Sequence, residues 1–130
     1  MSTVKRISSG NYTISANSVV QNTLTEIITS TSGTLDSNAS VHIYIPSPIA
    51  TSGSATLANG SPGQTVVLSS YATSSWTVNV TSAGWTSYGG TSTTGNVIFN
   101  NQRTSVTLRW TPEVYGWTPV AAAGSVTITT

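Results

Sequence analysis

The chain has 130 residues, enough for one domain with a buried core and too few for two. Only 5% of its residues are charged and its formal net charge is +1, whereas soluble domains usually carry charge on about a quarter of their residues. This balance excludes the basic surface by which proteins bind nucleic acid or an anionic membrane. Cysteine is absent, which excludes disulfides and thiolate metal sites.

Serine and threonine supply the missing polarity and make up roughly a third of the chain, far above their ordinary usage. Threonine is β-branched and suits a pleated surface in contact with water, so this composition favours strands over helices. Lysines and inward-pointing charges usually stop one sheet from pairing with another, and this chain has few of either. The composition therefore predicts an all-β domain whose edges close on themselves or are covered by a partner, which favours oligomers or a larger assembly.

The first nine residues are predicted to form an N-terminal strand or arm, and residues 10–130 a single all-β domain. In the arm, Val4 and Ile7 flank the basic pair Lys5 and Arg6. This N-terminal sequence has no apolar core of the length that a signal peptide needs, and no window of the chain approaches a membrane span. We therefore expect a protein made in a cytoplasm without a secretion signal.

Short β-prone runs follow one another between the arm and Val80. They are Tyr12–Ser15, Ser18–Gln21, Thr23–Ser30, Val41–Ile45, Ala55–Leu57, Gln64–Ser69 and Ser75–Val80. Residues 31–40 form a polar turn region, and Pro46 ends the following run because proline cannot donate to a β-ladder. Alternation in the last run predicts that Trp76 and Val78 point inward and Thr77 outward.

The most regular stretch of the chain is Gly95–Trp110. An apolar run, Val97–Phe99, precedes the polar loop Asn100–Thr104, and apolar and polar residues then alternate up to Trp110. This pattern predicts a β-hairpin whose second strand has one buried face. The residues predicted on that face are Val106, Leu108 and Trp110.

The remaining segments are predicted from their turn residues. Ser82–Gly95 is rich in glycine, serine and threonine and reads as a flexible loop, Pro112–Pro119 reads as a turn, and Ser125–Thr129 closes the chain as a last alternating strand. No stretch shows helical periodicity with caps. About ten short strands at close spacing predict a single-domain β-sandwich or a barrel-like antiparallel fold.

Candidate catalytic residues are few. His42 is the only histidine, and no acidic residue lies near it in sequence to orient it, so we expect a structural or exposed side chain rather than a general base. The three acids, Glu26, Asp36 and Glu113, are scattered, whereas calcium sites and glycosidase dyads need carboxylates that converge. The inventory predicts a protein that is not an enzyme and holds no cofactor or metal.

The aromatic residues suggest a different kind of site. Trp76 and Trp110 alternate with polar neighbours, which indicates core packing. Trp85 and Tyr88 lie in the Ser82–Gly95 loop, where they would form a ligand-binding platform or a subunit contact, or fold back onto the core of the domain.

From Gly60 onward the order of sequence features resembles a known module. The features are GSPGQTVVLSS, WTVNVTSAGW, GNVIFNNQRTSVTLRW, YGWTPV and GSVTIT. They are similar to a β-rich module of structural proteins of tailed bacteriophages, including capsid decoration (cement) proteins and tail-fibre tips. The resemblance covers about the second half of the chain and rests on pattern more than on rare residues.

The resemblance implies a non-enzymatic virion protein of the decoration type, because the chain has no room for the long shaft of a tail fibre. It implies a homotrimer that binds the major capsid protein on the outside of the phage head and stabilises it. The arm residues Val4, Lys5, Arg6 and Ile7 are the predicted capsid contact, although they also fit a first strand of the chain's own sheet. The alternative is a receptor-binding tip that binds glycans through Trp85 and Tyr88.

Overall fold

The computed structural model describes residues 24–85, 93–111 and 116–129, and all regular structure in these ranges is β. The strands of these ranges are β1 (Thr25–Ile28), β2 (Val41–Tyr44), β3 (Gly53–Leu57), β4 (Thr65–Ser70), β5 (Trp76–Ala83), β6 (Thr93–Phe99), β7 (Thr104–Thr111), β8 (Gly116–Ala123) and β9 (Val126–Thr129). The all-β class predicted from composition and spacing is confirmed. This part of the chain contains no helix long and apolar enough to cross a membrane.

The first five strands wind into a parallel stack. β1, β2 and β4 lie side by side and parallel, so that Thr25 pairs with Val41 and Val41 with Val67. Between these strands the chain crosses to a second layer. There β3 runs parallel to β5, and Thr34 forms a parallel bridge to Thr56 of β3. Each coil of the stack therefore contributes one extended segment to each layer.

The last four strands extend both layers in antiparallel fashion. β7 pairs with β4 and with β8 in the first layer, while β6 pairs with β5 and with β9 in the second. The two layers join along the sheet at one residue pair, Ala83 of β5 with Trp117 of β8. The antiparallel arrangement predicted for the fold thus applies to this half of the described chain, and the sheet as a whole is mixed.

β6 and β7 do not form the hairpin that the sequence predicts. Both strands lie where expected, but β6 pairs with β5 and β9 and β7 pairs with β4 and β8, so residues 100–103 carry the chain from one layer to the other. The backbone of Arg103 has a φ of 59° at this crossing, and its N–H donates to the carbonyl of Ser70. Alternation fixes which side chains of a strand are buried but not which strand lies beside it.

The core lies between the two layers. Tyr44 of β2 stacks on Trp76 of β5 with ring centroids 5.2 Å apart, and Trp76 stacks on Phe99 of β6 at the same distance. Gly53 permits this packing, because a Cβ there would lie 2.5 Å from the Tyr44 hydroxyl oxygen. The Tyr44 hydroxyl donates to the carbonyl of Thr51 at 2.9 Å, and burial raises its pKa above the ordinary value for tyrosine.

Two local predictions in the C-terminal half are wrong at their ends. Strands occupy both ends of the predicted loop Ser82–Gly95, because β5 continues to Ala83 and β6 begins at Thr93. The second half of the predicted turn Pro112–Pro119 is a strand, since β8 starts at Gly116 and contains Trp117. Pro119 lies within β8, next to a shift in the register of the pairing with β7. Proline has no backbone N–H to donate, and it is tolerated at such an irregularity because the regular hydrogen-bond ladder is interrupted there.

Candidate functional site

Only some of the predicted partner and ligand residues are among the residues that the structure describes. Val4, Lys5, Arg6 and Ile7 lie outside the described residues, as does Tyr88. Trp85 is described. The structure therefore gives contacts for one half of the predicted aromatic platform.

Trp85 folds onto the C-terminal strand of its own domain. Its indole N–H donates to the carbonyl of Thr129 at 2.9 Å, and its ring lies so close to Gly95 that a Cβ there would fall 2.8 Å from the indole nitrogen. The side chain is half-buried and packs against the core. The glycan contact through Trp85 stays a prediction.

His42 has an acidic partner that its sequence neighbours did not reveal. Parallel pairing of β1 with β2 places Glu26 opposite His42, and Glu26 Oε1 lies 2.8 Å from His42 Nδ1. The same carboxylate oxygen accepts the backbone N–H of Asp36 at 3.0 Å. Glu26, which the sequence suggested was a scattered surface acid, therefore ties together β1, β2 and the segment that follows β1.

The geometry around His42 fixes its tautomer. A carboxylate accepts, so Nδ1 carries the proton that it donates to Glu26, and in the neutral ring Nε2 keeps its lone pair. His42 is only 1% exposed, and Nε2 has no hydrogen-bond partner among the described residues. An imidazole oriented in this way is suited to accept a hydrogen bond or a proton at Nε2.

A small cavity borders His42, with Asp36, Ser37, Asn59 and Gln64 as its polar lining and Trp117 among its apolar lining. Its volume of about 10 Å³ is at the lower limit for one water molecule. The cavity has no space for a substrate, so the geometry supports the structural role expected for His42.

Other candidates for chemistry do not converge in the described ranges. No three His, Cys, Asp or Glu residues of these ranges approach one another closely enough to hold a metal ion. Arg109 projects to solvent from β7, opposite the buried face of Val106 and Leu108, as its alternation predicts. The prediction that the chain is not an enzyme stays a prediction.

One end of the parallel stack has no further strand of the described ranges beside it, and we call it the open end: the outer edge of β1 together with residues 31–35. β1 pairs on one side with β2, and no strand of the described ranges pairs with its other side. A cleft of about 280 Å³ lies at this end, lined by Glu26–Ser30 and Ser32–Leu35. Its edge carries exposed apolar side chains, since Leu24 is 52% and Ile27 55% exposed.

The backbone of β1 presents hydrogen-bonding groups at the open end. The carbonyls of Leu24 and Ile28 accept from Val41 and Ile45, so they point towards β2. Because successive residues of a strand direct their backbone groups to opposite sides, the N–H and C=O of Thr25 and Ile27 point away from β2. No strand of the described ranges pairs with these groups, and such a row of backbone groups accepts another strand.

Comparison with known proteins does not identify a family. No protein-family model matches the chain, and no curated protein is similar to it at a significant level. The resemblance to a phage virion module therefore stays an inference from the residues.

Proposed function

We propose that this protein is a non-enzymatic structural component of a tailed-phage virion, of the capsid decoration (cement) type. On this proposal it is made in the host cytoplasm, binds the major capsid protein on the outside of the head as a homotrimer, and stabilises the shell. The sequence order from Gly60 onward supports this assignment. The structural observation that supports it best is the open end, where a strand edge without a partner strand in the described ranges lies beside exposed apolar side chains.

The open end suits attachment to another protein for two physical reasons. An unpaired strand edge offers directional hydrogen bonds to any extended segment that approaches it. Covering Leu24 and Ile27 would in addition remove apolar surface from water, at about 25 cal/mol per Å². No lysine or arginine occurs in β1 to discourage such pairing.

The test is binding to heads of the parent phage that lack the protein. Purified protein is mixed with these heads, co-sedimentation gives the bound fraction, and cryo-electron microscopy gives the position and copy number. We expect saturable binding in clusters of three and a higher temperature of head rupture. Absence of binding to mature heads would contradict the decoration proposal.

A variant lacking residues 1–9 tests whether the predicted arm residues Val4–Ile7 carry the capsid contact. If they do, the variant keeps the fold and loses binding to heads. Unchanged binding would show that another surface attaches the protein to the capsid.

The second candidate is a glycan-binding tip, which the partly accessible side chain of Trp85 favours. Sugars stack on aromatic faces, so a Trp85→Phe variant should keep binding on a glycan array while Trp85→Ala loses it. The Phe variant is the matched control, because it too lacks the N–H that bonds to Thr129. If the wild-type protein binds no glycan on the array, this alternative fails.

A further inference from the structure

We propose that Asn59 is a latent deamidation site, reactive because Gly60 follows it and restrained by the hydroxyl groups of Thr81 and Ser82 on β5. When the contacts to β5 open, the Asn59 side chain is converted to an aspartyl or isoaspartyl group. The inference concerns the isolated protein and does not depend on the proposed function.

The reaction is an attack of the backbone on the side-chain amide. Hydroxide removes the proton from the Gly60 N–H, and the nitrogen bonds to Asn59 Cγ to form a succinimide ring. The bond from Cγ to the side-chain nitrogen breaks, and ammonia leaves after taking a proton from water. Water then opens the ring at either of its two carbonyls. The net change is the loss of ammonia and the gain of water at Asn59.

The packing of Trp117 requires glycine directly after Asn59. A Cβ at Gly60 would lie 2.7 Å from Cζ2 of Trp117 and 3.0 Å from Oε1 of Gln64. The Trp117 ring is buried, and its indole N–H donates to the carbonyl of Ala58 at 2.9 Å, so the ring is held in this place from both sides of Asn59. Glycine has no side chain to hinder attack by its own nitrogen. Asn59 is exposed, so hydroxide and water reach it.

Hydrogen bonds from β5 restrain the Asn59 side chain. Its Oδ1 accepts from the Ser82 hydroxyl at 2.7 Å and from the Thr81 hydroxyl at 3.0 Å. The Thr81 hydroxyl also contacts the carbonyl of Leu57 at 3.0 Å, and its single proton is shared between the two acceptors, so Ser82 makes the firmer contact. Closure of the succinimide ring needs rotation of the side chain and of the Asn59–Gly60 backbone. The reaction therefore proceeds through a locally opened state.

The two products differ in their effect on the protein. An aspartyl side chain still accepts hydrogen bonds from Ser82 and Thr81, but its charge cancels the formal net charge of +1. Proteins without net charge associate and precipitate more readily, so this product lowers solubility. An isoaspartyl group adds one atom to the main chain before Gly60, which displaces Gly60 from Trp117.

Peptide mapping by mass spectrometry measures the reaction. The protein is incubated in mildly alkaline buffer, with and without urea that unfolds it, and the chymotryptic peptides that contain Asn59 are resolved into asparaginyl, aspartyl and isoaspartyl forms. We expect Asn59 to react at least about tenfold faster in the unfolded chain than in the folded protein. Asn79 is the internal reference, because the branched side chain of Val80 hinders attack and should keep it intact in both states. Equal rates at Asn59 in the two states, or no reaction in urea, would overturn the proposal.

Ser82→Ala tests the restraint in the folded protein. The variant lacks the 2.7 Å hydrogen bond, and we expect its Asn59 to react roughly two- to tenfold faster than that of folded wild type. Ser54→Ala removes a serine hydroxyl near the start of β3, away from Asn59, and should react like wild type. Circular dichroism confirms that each variant is folded. If Ser82→Ala does not fold, Thr81→Val is the second variant, with the same expected acceleration.

Two outcomes of the variant experiment oppose the assigned role. A rate equal to that of wild type means that the hydroxyl groups restrain nothing. A rate below that of wild type means that they stabilise the oxyanion that develops on Oδ1 and so promote the reaction. Either result overturns the proposal. Binding to heads is measured separately, so this inference and the proposed function fail independently.

Discussion

At the scale of the residue, the two buried tryptophans Trp76 and Trp117 differ in one hydrogen bond. Trp117 is 1% exposed and its indole N–H donates to the carbonyl of Ala58 at 2.9 Å. Trp76 is fully buried between Tyr44 and Phe99, and its N–H has no partner among the described residues. A buried donor without a partner costs free energy, so the aromatic stack must offset that cost through packing.

Replacing each of these tryptophans by phenylalanine separates packing from hydrogen bonding. Both changes remove ring volume from the core, but only Trp117→Phe leaves a carbonyl, that of Ala58, without its donor. We expect Trp117→Phe to lower the free energy of unfolding by about 1–2 kcal/mol more than Trp76→Phe. Urea denaturation followed by circular dichroism gives both values. A larger loss for Trp76→Phe would contradict the assignment of the hydrogen bond.

At the scale of the element, β8 depends on a close approach to β5. A Cβ at Gly116 would collide with the backbone carbonyl of Ser82, and Gly84 donates its N–H to the carbonyl of Trp117 at 2.8 Å. The atoms nearest to such a Cβ belong to the backbone of Ser82 and Gly84, so β5 and β8 would have to separate to admit a side chain. The join between the two layers therefore requires glycine at this position.

A Gly116→Ala variant should lose about 1–3 kcal/mol of stability, as overpacked sites do. Val120→Ala, on the same strand but 47% exposed, serves as the control and should cost less than about 1 kcal/mol. Thermal unfolding of both variants gives the comparison. Equal stability of Gly116→Ala and wild type would show that β5 and β8 are not held together there.

The sequence predicts strands better than it predicts their neighbours. Alternation located β2, β4, β5 and β7 to within a few residues, and it oriented Trp76 and Arg109 correctly. The hairpin prediction at Gly95–Trp110 was wrong because strand pairing is decided by contacts distant in the chain. The parallel coils were missed for the same reason, since a crossover of irregular residues has no periodicity of its own.

For His42, too, the sequence indicated the strand but not the residue that lies beside it. Its burial was compatible with its position in a strand, but its partner Glu26 lies one coil earlier in the stack. The signal that could have found it is a parallel alignment of the run Thr23–Ser30 with the run Val41–Ile45 that places Glu26 beside His42. In a chain with so many similar runs, that signal has many competing matches.

At the scale of the whole molecule, the two layers share one core. Tyr44 and Trp76 come from different layers and stack, while Trp117 in the first layer bonds to Ala58 after β3 of the second. We therefore expect a single cooperative unfolding transition. Tryptophan fluorescence and far-ultraviolet circular dichroism should give the same urea midpoint. Two separated midpoints would show that the parallel and antiparallel halves unfold independently.

The pairing of β4 with β7 and of β5 with β6 also sets an order of events during synthesis. The parallel coils are made of consecutive residues, so they can assemble as the chain leaves the ribosome. The edges of β4 and β5 that pair with β7 and β6 then stay without these partners until residues 93–111 have been translated. Unpaired strand edges are the surfaces through which nascent chains aggregate. A slow codon or a truncation between Ala83 and Thr93 would therefore leave the ribosome-bound chain in its most aggregation-prone state.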